Sequence, residues 1–218
     1  MQATIRRKLD AGRRALDFGR DHPAADPAHG AALVRLADLL ARAAQAASRQ
    51  DAGFARERSA NARKFELRRS MAQLHLRHLA GVAGLASAEL PSLERKLALV
   101  RDARSYESFR LCAGDVAAEA VARRELLARH GLVEMLLDDL EHSLDKFDTA
   151  VVEGDRGRRT HIGATADLMN LADDVMAAVA TLDTVNRVRF AADAATLAAW
   201  ERARSVAASA GGEVKPAA

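Results

Sequence analysis

The stretch from Gly53 to Leu90, GFARERSANARKFELRRSMAQLHLRHLAGVAGLASAEL, constrains the fold more than any other part of the chain. It contains no proline and carries apolar residues on two sides. On a helix turning about 100° per residue, Leu67, Met71, Leu74, His78, Val82 and Leu85 form one row. Phe54, Phe65, Ala72, Leu76, Leu79 and Ala83 form a second row, roughly opposite. A helix with two apolar stripes is not satisfied by one neighbour, so this one belongs in the middle of a bundle.

The rest of the chain agrees. Of 218 residues, 50 are Ala, the best helix former, and only 4 are Pro, the worst. No segment alternates with the period of a strand. The expected fold is all-α: an antiparallel bundle of five to seven helices around a long central helix at 54–89. One domain is expected over 1–206, with a disordered tail over 207–218, AASAGGEVKPAA.

Local signals divide the chain further. Residues 2–20 read as a first helix whose buried row is Ile5, Leu9, Gly12, Leu16 and Gly19, the glycines letting a neighbour come close. Asp21 to Pro27 is a turn, with Asp26 as an N-cap and Pro27 at the first helical position. A second helix follows; around Ser48 to Gly53 it either turns or runs straight into the central helix as one rod of about 60 residues, and a break or kink near Asp51 to Gly53 is the favoured expectation. Pro91 ends the central helix. Residues 91–104 read as a short helix or a connection packed through Leu93, Leu97 and Val100. Ser105 caps a helix from Tyr106 to His130, which Gly131 stops. Residues 132–152 make an amphipathic helix, Gly154 to Arg159 a loop, and Thr160 caps a helix over 161–190. Asp193 caps a short last helix carrying Leu197 and Trp200.

Composition also bounds where the protein works. The longest run free of charged residues and His, Leu79 to Ala88, is half of the about 20 residues that a membrane-spanning helix needs. The polar row of residues 1–20 alternates in sign, which argues against a membrane-surface helix, so no membrane partner is expected. The opening MQATIRRKLDAGRR has charges but no apolar region of a secretory signal. A single cysteine, Cys112, allows no intrachain disulfide and fits a reducing compartment. A cytoplasmic protein is the expectation, and the Ala- and Arg-rich usage is that of a GC-rich bacterial gene.

Catalytic motifs are missing. There is no phosphate-binding glycine loop, no dinucleotide fingerprint and no serine in a nucleophile elbow. Cys112, in Leu111-Cys-Ala-Gly, reads as a small buried hydrophobe. Di-metal bundles use Glu-x-x-His on two helices, and here no Glu precedes a His by three. Asp139 and His142, Asp26 and His29, and His75 and His78 are only partial echoes. No cofactor or metal is therefore expected. His78 reads as a core histidine hydrogen-bonded across the bundle.

Charge is the remaining material for recognition. Residues 1–80 hold 16 Lys and Arg against 8 Asp and Glu, whereas residues 81–155 hold 9 against 15. Arg69, Gln73 and Arg77 share an arc between the two apolar rows, with Arg58 at its edge. Glu134, Asp138, Glu141, Asp145 and Asp148 make an acidic row on the helix at 132–152. The arginines are expected to pair with that row, within the chain or across a dimer. The first functional expectation is a non-catalytic interaction or scaffold protein that self-associates or binds another protein. The alternative is sequence-nonspecific nucleic-acid binding by the basic N-terminal third; no aromatic interleaves with the arginine arc, which argues against base stacking. A metal-dependent helical enzyme ranks third.

Overall fold

The computed structural model describes residues 2–98 and 105–206, and among them helix is the one regular secondary structure, with no strand. The elements are α1 (Ala3–Asp21), α2 (Pro27–Ser70), a π-helical turn (Met71–Leu76), α3 (Arg77–Ala86), α4 (Ser92–Lys96), α5 (Tyr106–Ala122), α6 (Arg124–Arg129), α7 (Glu134–Arg189) and α8 (Ala194–Arg204). α2, the π-turn and α3 form one unbroken run over 27–86, so the described residues make seven separate helices. Residues 99–104, with Val100, and the tail at 207–218 lie outside the described residues. No described helix is long and apolar enough to cross a membrane.

The helices pack into two compact units. Unit 1 takes in Met1–Gly53 and Arg159–Ala218, and unit 2 Phe54–Arg158. In unit 1, α1, the first part of α2, the second part of α7 and α8 enclose a core that includes Leu9, Leu36, Leu168, Val175 and Trp200. The α1 row is buried as its spacing predicts, glycines included. A Cβ on Gly12 would overlap Val175 Cγ1, and one on Gly19 would overlap Leu33 Cδ2. These two glycines therefore mark real close approaches. α2 and α7 run antiparallel here, with Arg49 on Asp167 and Gln50 on Thr165, while Ala28 and Arg35 line a groove shared with Ala178 and Thr181.

In unit 2, α3, α4, α5, α6 and the first part of α7 close around Met71, Leu79, Phe109, Leu140 and Phe147. α5 and α7 are antiparallel, fixed by Arg110 on Asp148 and, just beyond α5, Arg124 on Glu134. Leu93 and Leu97 of the 91–104 segment are fully buried.

The predicted caps are in place. The Asp26 carboxylate accepts the Ala28 amide at 2.9 Å. Ser105 and Ser108 form a reciprocal capping box on α5. Asp193 accepts the Thr196 amide at 3.0 Å. Gly131 sits at φ 100°, in the left-handed region that glycine adopts without strain. The helix before it is interrupted, however: α5 ends at Ala122 and α6 begins at Arg124.

Two expected breaks do not occur. α2 runs straight through Asp51 to Gly53. One glycine in a helix costs roughly 1 kcal/mol relative to alanine, and α2 is buried on both sides of Gly53, at Ala46 before it and Ala60 after it, so packing holds the helix through. Gly154 to Arg159 is likewise helical inside α7, so Thr160 lies within a helix rather than capping one. Gly154 and Gly157 are buried, and Gly154 faces Ala60 of α2, where a Cβ would stand 3.5 Å away. Both glycines thus lie on the covered side of α7, and the arginines beside them are good helix formers.

The two apolar rows of the central stretch are also redrawn. One stripe is buried: Met71, His75, Leu76, Leu79, Val82 and Ala83. Phe54, Phe65, Leu74 and Leu85 are exposed. The π-turn is the cause. Its i→i+5 bonds take in about one residue more than an α-turn, which rotates everything after Ser70 by about 100° against what precedes it. Phe54 and Phe65 thus leave the row of Leu76, Leu79 and Ala83. Cys112 is exposed as well, because the buried stripe of α5 is Phe109, Ala113, Val116, Ala117 and Ala120, and Cys112 falls at its edge.

Candidate interaction surface

The helical run from α2 to α3 carries one broad solvent face in unit 2. Arg58, Arg69, Gln73 and Arg77 all lie on it, exposed. None of the three arginines has an ion-pair or hydrogen-bond partner among the described residues. The π-turn that displaces the phenylalanines draws Gln73 and Arg77 toward the line of Arg58 and Arg69, by the same rotation of about one residue. Phe65 at 55% exposure, Leu74 at 63% and Leu85 at 65% stand among these cations. Phe65 is one turn from Arg69 and two turns from Arg58, so an aromatic does interleave with the basic arc. Glu66 is the exposed anion nearest in sequence to Phe65.

The acidic row of α7 is not the partner of this face. Its ends are taken by other arginines. Arg124 holds Glu134 at 2.6 Å. Arg110 holds Asp148 as a fork, Nε on Oδ1 at 2.9 Å and Nη2 on Oδ2 at 2.7 Å. A bidentate pair of this kind fixes both planes. The Arg110 hydrogen bond keeps the Asp148 carboxyl below its ordinary range, and Asp148 in turn raises the Arg110 guanidinium. Asp138, Glu141 and Asp145 remain exposed between those two pairs, with the Asp145 charge felt by Arg110. The expected intrachain pairing of Arg58, Arg69 and Arg77 with this row is therefore absent, because α5 and α6 supply the cations that reach it.

Between α5 and α7 lies a groove of ≈ 430 Å³, to which α2 contributes Lys64. Tyr106, Leu111, Phe147 and Val151 give it an apolar lining, with the Arg110–Asp148 fork at one side. Tyr106 and Phe147 rings are 6.0 Å apart. The Lys64 ammonium lies over the Tyr106 ring, 4.9 Å from its centre, and the Arg68 guanidinium over Phe109 at 5.1 Å, both cation–π contacts. Two exposed carboxylates, Glu107 and Asp155, complete the lining. Neither has a partner among the described residues. The groove went unread in the sequence, although Tyr106, Phe109 and Phe147 hold three of its eight aromatics (one Trp, one Tyr, six Phe) close together.

The histidines gather no metal site. Among the described residues, no three His, Cys, Asp or Glu side chains come together in a metal-holding group. Asp139 and His142 are exposed. His78 is half-buried, and its Nε2 has no hydrogen-bond partner; nor has Nδ1 of the buried His75. The cross-bundle hydrogen bond expected for His78 is not formed. His29 is buried in unit 1, where Arg189 Nη1 meets its Nε2 at 3.3 Å.

No family model, curated protein or solved structure matches this chain.

Proposed function

We propose that this protein is a non-catalytic interaction protein that associates with itself through unit 2. The observation that carries the reading is the face of α2 and α3, where Arg58, Arg69 and Arg77 have no partner among the described residues and stand among exposed Phe65, Leu74 and Leu85. Large apolar side chains grouped on one face favour burial against a partner. Unpaired charges among them set orientation and discriminate between partners. The acidic row at Asp138, Glu141 and Asp145 offers the opposite sign on the same unit, so two copies hold complementary surfaces.

Light scattering after size exclusion tests this over a wide range of protein concentration. The expected result is a concentration-dependent oligomer that weakens with salt. Phe65→Asp with Leu74→Asp should give a monomer of unchanged helicity by circular dichroism. A wild-type chain that stays monomeric throughout ends the reading.

One observation supports a second reading, sequence-nonspecific nucleic-acid binding. Exposed Phe65 between Arg58 and Arg69 supplies a stacking ring beside phosphate-binding cations. This reading predicts co-purified nucleic acid at low salt, seen in the 260/280 nm ratio, and affinity that falls steeply with salt. Arg69→Glu with Arg77→Glu should abolish it. Absence of binding at low salt rejects it.

A further inference from the structure

We infer that the groove between α5 and α7 receives the Phe65–Arg69 segment of a second copy. The inference rests on the self-association reading above and names the receptor for it.

The match is chemical on each count. The groove presents aromatic and aliphatic walls, Tyr106, Phe147 and Val151, and at ≈ 430 Å³ it lies in the size range of sites that bury a few side chains. Phe65 and Arg69 sit one helical turn apart, so a ring and a guanidinium leave the helix side by side. A ring of Phe65 stacks against aromatic walls. Arg69 then meets Glu107 and Asp155, carboxylates that no described residue of their own chain pairs. The groove's own cations are engaged already: Arg110 by Asp148, and Lys64 by the Tyr106 ring. The lining holds three carboxylates, Glu107, Asp148 and Asp155, against two cations, Lys64 and Arg110, so the groove is net negative, which is the sign an arginine selects. Buried arginine and aromatic anchors are the usual centres of protein interfaces.

Each copy holds one groove and one segment. Two reciprocal insertions close a two-fold dimer in which the same contact occurs twice. That arrangement has a consequence a general stickiness would not share. Arg69→Glu should weaken dimerisation about tenfold or more, and so should Glu107→Lys with Asp155→Lys. Mixed together, the two variants should form a heterodimer. In one of its two contacts, the carboxylate introduced by Arg69→Glu meets the ammonium groups introduced by Glu107→Lys and Asp155→Lys. The other contact is wild type on both sides.

The experiment is analytical ultracentrifugation of the full chain: wild type, each variant and their equimolar mixture, with circular dichroism on all four. Loss of dimer in each variant and its return in the mixture is the expected result. A wild-type dimer unchanged by Glu107→Lys with Asp155→Lys overturns the groove as receptor and leaves self-association standing. Variants that both dissociate but do not combine overturn the pairing of segment with groove. A wild-type monomer sinks the self-association reading itself. If the lysine variant unfolds, Glu107→Gln with Asp155→Asn replaces it, and full-strength dimerisation by that neutral variant also overturns the inference.

Discussion

The two units use their polar side chains in opposite ways. Unit 1 turns them inward. Trp200 Nε1 donates to Asp183 at 2.8 Å, Arg14 reaches the carbonyls of Ala203 and Ser205 at the end of α8, and Arg189 reaches those of His22 and Pro23 after α1. Gln50 and Thr165 bond across α2 and α7. All but the Arg189–Pro23 bond are partly buried, and all but the Trp200–Asp183 bond join elements far apart in the chain. Unit 2 has a comparable part-buried cross-helix contact in the Arg110–Asp148 fork, and leaves Arg58, Arg69, Arg77, Glu107 and Asp155 facing solvent. Exposed apolar residues do not distinguish the units, since unit 1 also exposes Val34, Ile162, Met169 and Val188. The difference lies in what the polar groups are bound to. Where they close on their own chain they hold helices together. Where they do not, they are free to select a partner.

The strongest way to break this contrast is at Trp200, which is fully buried and lies tilted against Phe18, ring centres 5.3 Å apart. Trp200→Ala should cost unit 1 about 3–5 kcal/mol. It also strips Asp183 of its indole donor. Denaturant melts followed by circular dichroism measure the loss. Dimerisation through unit 2 should persist under conditions where the variant is still folded; a variant that is folded yet monomeric would show that the division of labour is wrong.

Glycines sharpen the comparison. In unit 1, a methyl at Gly12 overlaps Val175, itself fully buried, with Leu40 at 3.4 Å. Gly12→Ala should therefore destabilise by about 1–3 kcal/mol, the range for overpacking a tight contact. In unit 2, the same change at Gly154 places the methyl at ordinary contact distance from Ala60 and Lys64. Gly154→Ala should be neutral or stabilise by up to about 1 kcal/mol, because it relieves the glycine cost inside a helix. Melting temperatures of the two variants, compared with wild type, should move in opposite directions. A loss at Gly154 as large as that at Gly12 would mean that the helices of unit 2 are packed as tightly as those of unit 1.

These glycines also explain how far the sequence could be read. Gly12 and Gly19 fall on an apolar row, so close packing was legible from their spacing alone. Gly154 and Gly157 fall among arginines and an aspartate, where composition points to a loop. That segment packs against Ala60, a residue of α2 far away in the sequence, a contact that composition does not reveal. Caps at Asp26, Ser105 and Asp193 were legible because capping is local chemistry. The π-turn was not, since it leaves no mark in composition, and with it went the correct burial of Phe65, Leu74 and Leu85. For the surface, the exposed arc of Arg58, Arg69, Gln73 and Arg77 could be placed from one helix's periodicity. Its relation to the acidic row could not. That depended on the register of α5 and α6, which decides that Arg110 and Arg124, and not the α2 arginines, reach Asp148 and Glu134.

The smallest effect is expected at His29, and it separates the units by pH. Burial lowers the His29 pKa, the Arg189 charge lowers it further, and Asp26 opposes both. Arg189 donates to Nε2, which requires that nitrogen to be unprotonated. The unfolded chain keeps an ordinary histidine, titrating near 6.5. Below that pH the unfolded state binds a proton that the native site resists, so unit 1 loses stability as pH falls from about 6.5 toward the lower native value. Asp183 acts in the same direction at more acid pH. Burial alone would raise its carboxyl, but the Trp200 and Arg187 hydrogen bonds and the Arg204 and Arg187 charges outweigh it and hold the pKa down. That contribution is intact above the ordinary carboxylate range and is lost only as pH drops through the native value. Fluorescence of the single tryptophan, buried in unit 1, should therefore report a midpoint of denaturation that declines in two stages on acidification. His29→Gln should flatten the first stage and leave the second. A first stage that survives in His29→Gln would assign it to another group, and the contrast between a unit 1 bonded across its own helices and an outwardly poised unit 2 would lose its titratable witness.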